Sequence, residues 1–171
     1  MSDLAKSKEL LKRYSIARIP FITINTIERT RTLEILKNVS EELALPFFVH
    51  TLSKGTYDLV NGKIVNEDRS IYGAIDFISE QMKRKQFVTL ILTEIPDLST
   101  DNADSKQILD LVTLANETGG VIMVLTNNSI WNQLQRLGMT IKIDLPNEDE
   151  MYSIINDYID EYRSERPIEW D

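Results

Sequence analysis

Five short apolar runs alternate along the chain with longer stretches in which apolar residues recur at helical spacing. The runs cover residues 20–26, 46–52, 87–92, 121–125 and 140–145, each opened by Pro, Gly or a polar break. The third and fourth are continuously apolar, the pattern of parallel strands covered on both faces. The fifth alternates through Ile141, Ile143 and Leu145, which suits a strand nearer an edge. Between the runs lie amphipathic helices. Leu33, Leu36, Ser40 and Leu43 form one stripe, Ile71, Ile75, Ile78 and Met82 a second, and Ile108, Leu111, Val112 and Ala115 a third. An opening helix is predicted over 4–14. A short helix carries Ile130, Leu134 and Leu137, with Ser129 before it and Gly138 as its C-cap. The closing helix, 147–163, repeats Met151, Ile154, Ile155, Tyr158, Ile159 and Tyr162. Its start carries a variant capping box, Asn147 with Glu150.

Strands and helices in this alternation, with short connections, predict right-handed βαβ units and a three-layer α/β domain, a five-stranded parallel sheet with helices on both faces. One segment breaks the rhythm. Residues 57–60 and 63–65 flank Asn61-Gly62, which reads as a type I′ hairpin inserted after the second strand, within about 53–70. The domain is expected to span 1–162. Residues 163–171, with Pro167 and an isolated Trp170, leave the helical pattern and are read as a tail or linker to a following module.

Composition sharpens this picture mainly by exclusion. Among 171 residues 42% are hydrophobic and 27% charged, enough apolar material for one core. No run approaches the ~18–20 apolar residues that span a bilayer, so a cytoplasmic protein without membrane attachment is expected. There is no cysteine, which removes disulfides, thiolate metal sites and cysteine nucleophiles. The single histidine, His50, lies inside an apolar run and is expected to be a hydrogen-bonded core or edge residue. Net charge is −8, so a nucleic acid backbone is an unfavourable partner.

In a doubly wound sheet ligands sit beyond the C-terminal ends of the strands, and for a nucleotide the decisive loop follows the first strand. A phosphate cradle needs glycines that expose backbone N–H groups, then Lys and Ser/Thr for charge and magnesium. The loop here is Asn25-Thr26-Ile27-Glu28-Arg29-Thr30, with no glycine and no lysine, and Glu28 where an anion would go. Gly62-Lys63 does not replace it, because position 57 is Tyr and the pair lies in the hairpin. After the third strand stand Glu94 and Asp97, where an ATPase would hold magnesium and activate water. The plainer reading has Asp97 opening a turn after Pro96 and Asp101 or Asp104 capping the next helix. Thr126-Asn127-Asn128-Ser129 follows the fourth strand, either a polar sensor or a set of caps and Asx-turns.

The succession Phe21-Ile-Thr-Ile-Asn-Thr-Ile-Glu-Arg, then a helix, then Leu45-Pro-Phe-Phe-Val-His resembles the N-terminal module of an AAA ATPase family. So do the segments 88–98, 120–126 and 141–150. In that family, found in cyanobacteria, other bacteria and some chloroplast genomes, a degenerate P-loop-like module precedes a working AAA module. The resemblance covers roughly 10–162. It implies the strand order 5-1-4-3-2, Glu94 and Asp97 in the region of the second nucleotide motif, and Asn127 or Asn128 in that of the polar sensor.

The expectation is therefore a non-catalytic domain that binds protein, a partner or a C-terminal AAA module, in assembly or regulation, with a homo-oligomer left open. No catalytic residue, metal or cofactor is assigned. Surfaces are expected on the hairpin, with Tyr57 and Asn61, and on the closing helix, with Tyr152, Tyr158, Tyr162 and Trp170. The tyrosines could equally be half-buried against the sheet. The alternative is residual ATP and magnesium binding through a non-standard loop, using Glu94 or Asp97.

Overall fold

The computed structural model describes residues 3–84 and 87–165. Helices α1 (Asp3–Ala17), α2 (Arg29–Leu43), α3 (Ile71–Arg84), α4 (Ala103–Thr118), α5 (Asn132–Gln135) and α6 (Glu148–Glu165) alternate with seven strands. These are β1 (Phe21–Asn25), β2 (Phe47–Thr51), β3 (Gly55–Asp58), β4 (Ile64–Asn66), β5 (Thr89–Leu92), β6 (Val121–Thr126) and β7 (Gly138–Lys142). They form one sheet in the order β4-β3-β2-β5-β6-β1-β7. From β7 to β2 all neighbours are parallel, whereas β3 and β4 add on antiparallel. The expected five-stranded parallel sheet is thus corrected to a seven-stranded mixed one. The inserted segment forms the expected hairpin, β3–β4, and β3 also pairs with β2, so the hairpin lengthens the sheet.

Alternation of side chains across the pleat divides the core. Along β1, Phe21 faces one layer while Ile22 and Ile24 face the other. Leu90 and Leu92 of β5, with Ile122 and Val124 of β6, join Phe21 against α3, α4 and α5. Ile91, Met123 and Leu125 join Ile22 against Leu11 of α1 and Ile35, Leu36 and Val39 of α2. Both faces of β5 and β6 are covered, which is why their sequences are apolar without alternation.

Several local expectations are corrected. The β3–β4 connection is a five-residue loop, 59–63, not a type I′ turn. The Asp58 carboxylate accepts from the N–H groups of Val60 and Asn61 at 2.9 and 3.0 Å, and Gly62 has a φ of 72°. Asn61 has no positive φ, as a type I′ turn would require. Asn102, rather than Asp101 or Asp104, caps α4, accepting from Ser105 N at 2.8 Å. Ser129 does not cap α5, whose N-cap is Trp131. Gly138 is not a C-cap but the first residue of β7, packed so closely that an added Cβ would lie 1.9 Å from the Phe21 carbonyl oxygen. The capping box at α6 forms reciprocally, with Glu150 N donating to Asn147 Oδ1 at 2.9 Å and Asn147 N to Glu150 Oε2 at 3.2 Å.

Candidate functional site

All five parallel strands end at the same edge of the sheet. From β1 the chain leaves toward α2 on one face, and from its neighbour β6 toward α5 on the other. That divergence is the place where open α/β sheets bind ligands. Here it is closed by short polar turns. Thr26 N donates to the Thr126 carbonyl at 3.2 Å, extending the ladder by one step. Each threonine hydroxyl then accepts from the N–H two residues on, Thr26 from Glu28 and Thr126 from Asn128, both at 3.0 Å. The turn after β1 is only residues 26–28 before α2 begins, so no loop of backbone amides encircles an anion.

The electrostatics of α2 follow the same direction. Glu28 stands at its N-cap, where a carboxylate complements the macrodipole, though its side chain makes no capping bond. Instead Glu28 Oε2 accepts from Arg31 at 2.8 Å. Arg31 also donates to the Asp144 carbonyl and to Glu150 Oε2, both at 3.0 Å. The guanidinium therefore joins the start of α2 to the start of α6. Neighbouring Arg29 turns the other way, donating to Glu94 Oε1 at 2.8 Å.

Glu94 has both oxygens engaged, since Oε2 accepts from Leu52 N at 2.6 Å. That backbone hydrogen bond, aided by Arg29, holds its carboxyl below the usual carboxylate range. An ionised carboxylate with both oxygens occupied would have to release a partner to hold magnesium or take a proton from water. Asp97 is exposed and its Oδ1 accepts from the hydroxyl and N–H of Ser99 at 2.5 and 2.9 Å, the turn anticipated after Pro96. Those bonds hold its pKa down. Asn127 is exposed at the end of β6. Among the described residues no group of three or more His, Asp or Glu side chains is placed to hold a metal ion.

His50 is fully buried in β2, its Nδ1 3.2 Å from the Thr56 hydroxyl. Burial pushes its pKa down. On the hairpin, Tyr57 packs partly against the core and carries the Lys54 ammonium 5.5 Å from its ring centre, while Asn61 is exposed with Oδ1 accepting from Lys63 N. Tyr152, Tyr158 and Tyr162 are 68%, 62% and 62% exposed, so the reading that half-buries them against the sheet is corrected. Trp170 lies outside the described residues. The sequence reading did not foresee the open groove of about 950 Å³ between α2 and α6. Only the run of apolar residues in an otherwise acidic helix hinted at it.

Over residues 7–143 the sequence matches the family model described as SpoVK-like AAA ATPase, N-terminal domain. No protein of curated function matches it in sequence. Solved structures share the fold. Rhizobiales Trip13 is 15% identical with a TM-score of 0.53, over 86% of this chain and 53% of that one. AMPPCP-bound DnaA from Aquifex aeolicus is 13% identical with a TM-score of 0.51, over 95% and 51%. Domain III of the Thermotoga maritima replication initiation protein DnaA is 11% identical with a TM-score of 0.54, over 92% and 70%. The chain thus spans about half the length of the first two. At such identities the likeness is one of fold. Among the described residues no helix is long and apolar enough to cross a membrane.

Proposed function

The chain belongs to the SpoVK-like AAA ATPase N-terminal domain family, and from that premise we propose that it is a non-catalytic, protein-binding domain that regulates or assembles an ATPase in the cytoplasm. The observation that carries this reading is the state of the first strand–helix turn. Residues 26–28 present a carboxylate and no glycine where phosphate oxygens would need bare amides and a cation. Both arginines that could answer a phosphate are committed, Arg29 to Glu94 and Arg31 to Glu28 and Glu150. A degenerate nucleotide site left on an intact scaffold fits a domain whose role is contact rather than turnover. The partner is protein, a following AAA module or a separate chain, because the acidic surface disfavours nucleic acid.

A second reading keeps weak nucleotide binding, favoured by the α2 N-terminus, which no side chain caps and which opens onto the groove. Calorimetry with ATP and magnesium separates the two. The first expects no binding tighter than about 100 μM, an affinity of only about 5–6 kcal/mol. Tighter binding that disappears in Glu94→Gln and Asp97→Asn would establish the second.

A further inference from the structure

We propose that the groove between α2 and α6 receives a cationic amphipathic helix of a partner protein. This rests on the reading of the chain as a protein-binding domain and names the chemistry of what it binds. The first ground is an apolar surface without a cover. Met151, Ile154, Ile155, Tyr158 and Tyr162 are all exposed and fall at i, i+3, i+4, i+7 and i+11, so they make one ridge on α6. Of the described α6 side chains only Glu150 and Ile159 are partly buried. Ile154 and Tyr158 of that ridge form one wall of the groove, and Ile27, itself exposed at the start of α2, stands opposite. A cleft with an apolar strip along α6 and a polar, largely charged wall along α2 suits a helix that docks an apolar stripe through i, i+3 or i+4, and i+7 anchors and turns a charged side to α2.

Charge selects the occupant. Within 148–165 there are seven acidic residues and one basic residue, Arg163. The groove's two arginines are consumed by carboxylates of the chain itself, whereas Glu34 and Asp157 also line it. A second copy of the chain would lay one strongly acidic helix beside another, and like charges across an interface suppress that pairing. A nucleic acid or nucleotide would meet the same field. A helix with an apolar stripe flanked by Lys and Arg satisfies both the ridge and the carboxylates.

The test titrates the full chain, by calorimetry, with an 18-residue peptide bearing Leu at a and d heptad positions and Lys elsewhere. A peptide with Glu in place of Lys and a shuffled Lys peptide of equal composition serve as comparisons. The ordered Lys peptide is expected to bind, and the other two to bind about tenfold or more weakly. Affinity should fall about tenfold with Ile154→Ser plus Tyr158→Ser, and again with Glu34→Lys plus Asp157→Lys, all exposed positions. Asp110→Lys, on α4 across the sheet, should leave it unchanged. Equal binding of the shuffled peptide, indifference to the groove variants, or a dimer dissolved by them in sedimentation would overturn the proposal. Failure of the peptide together with silence toward ATP and magnesium overturns this inference alone. Nucleotide binding abolished by Glu94→Gln and Asp97→Asn overturns the reading beneath it.

Discussion

Arg31 illustrates how much a single side chain can organise. Its side chain is 14% exposed and it holds three acceptors on three segments, Glu28, the carbonyl of Asp144 and Glu150. Holding three separate acceptors through two nitrogens of one rigid plane belongs to a guanidinium and not to an ammonium. Arg31→Ala leaves two partly buried carboxylates without their cation, and we expect a loss of about 1–3 kcal/mol in urea unfolding. Arg31→Lys should recover only part of that. In hydrogen exchange the amides at the start of α6 should open faster in both variants, since Arg31 is their tie to α2. His50 gives a second test at this scale, made simple because it is the only histidine. Burial disfavours the imidazolium, so its folded pKa lies below 6.5. The folded state then binds fewer protons than the unfolded one as pH falls below 6.5, and stability declines toward and through the folded pKa. Proton NMR of the ring should give a midpoint below 6.5; a midpoint at or above that value contradicts the burial argument.

Element by element, legibility followed how local the determining physics is. The five parallel strands were legible because both faces of the sheet are covered, which leaves runs such as Val121–Thr126 without polar interruption. The capping box of α6 was legible because its donors and acceptors lie within four residues. What was not legible depends on long-range pairing. Nothing local says that β3 pairs with β2, or that Asp58 rather than Asn61-Gly62 closes the next turn. Gly138 looked like the end of a helix, but its smallness is demanded by Phe21, distant in sequence. Two glycines separate these causes experimentally. Gly138→Ala drives a Cβ into the Phe21 carbonyl and should cost about 2–4 kcal/mol or block folding. Gly62→Ala meets no neighbour within 4 Å yet sits at φ 72°, so only its backbone is strained and about 1 kcal/mol should be lost. Comparable losses at the two sites in thermal unfolding would contradict that distinction.

At the scale of the whole molecule, the chain has an α/β fold like that of AAA+ proteins, and at the sheet edge where open α/β sheets bind ligands its arginines pair with its own carboxylates. The absence of glycine and lysine from 25–30 was plain in the sequence, but the pairing of Arg29 and Arg31 with internal carboxylates appears only when α2, the residues after β5 and α6 are brought together. The same assembly leaves the apolar ridge of α6 exposed, a fact that helical spacing alone could not give because it does not say what a face meets. Acid should loosen this arrangement. Glu94 is held below its ordinary 4.5 by Leu52 N and Arg29, so its contribution is present above that pH and is lost as pH falls through the folded value. Glu94→Gln should accordingly flatten the stability profile on the acid side of pH 4.5, and an unchanged slope in denaturant melts would contradict the pairing.

The most direct measurement is a backbone amide NMR titration of the chain with ATP and magnesium. The signals of Ile27, Glu28, Arg29, Thr30 and Arg31 should stay in place at millimolar nucleotide. Saturable shifts confined to those amides would mean that the turn after β1 does grip phosphate, and would contradict the proposal of a non-catalytic, protein-binding domain.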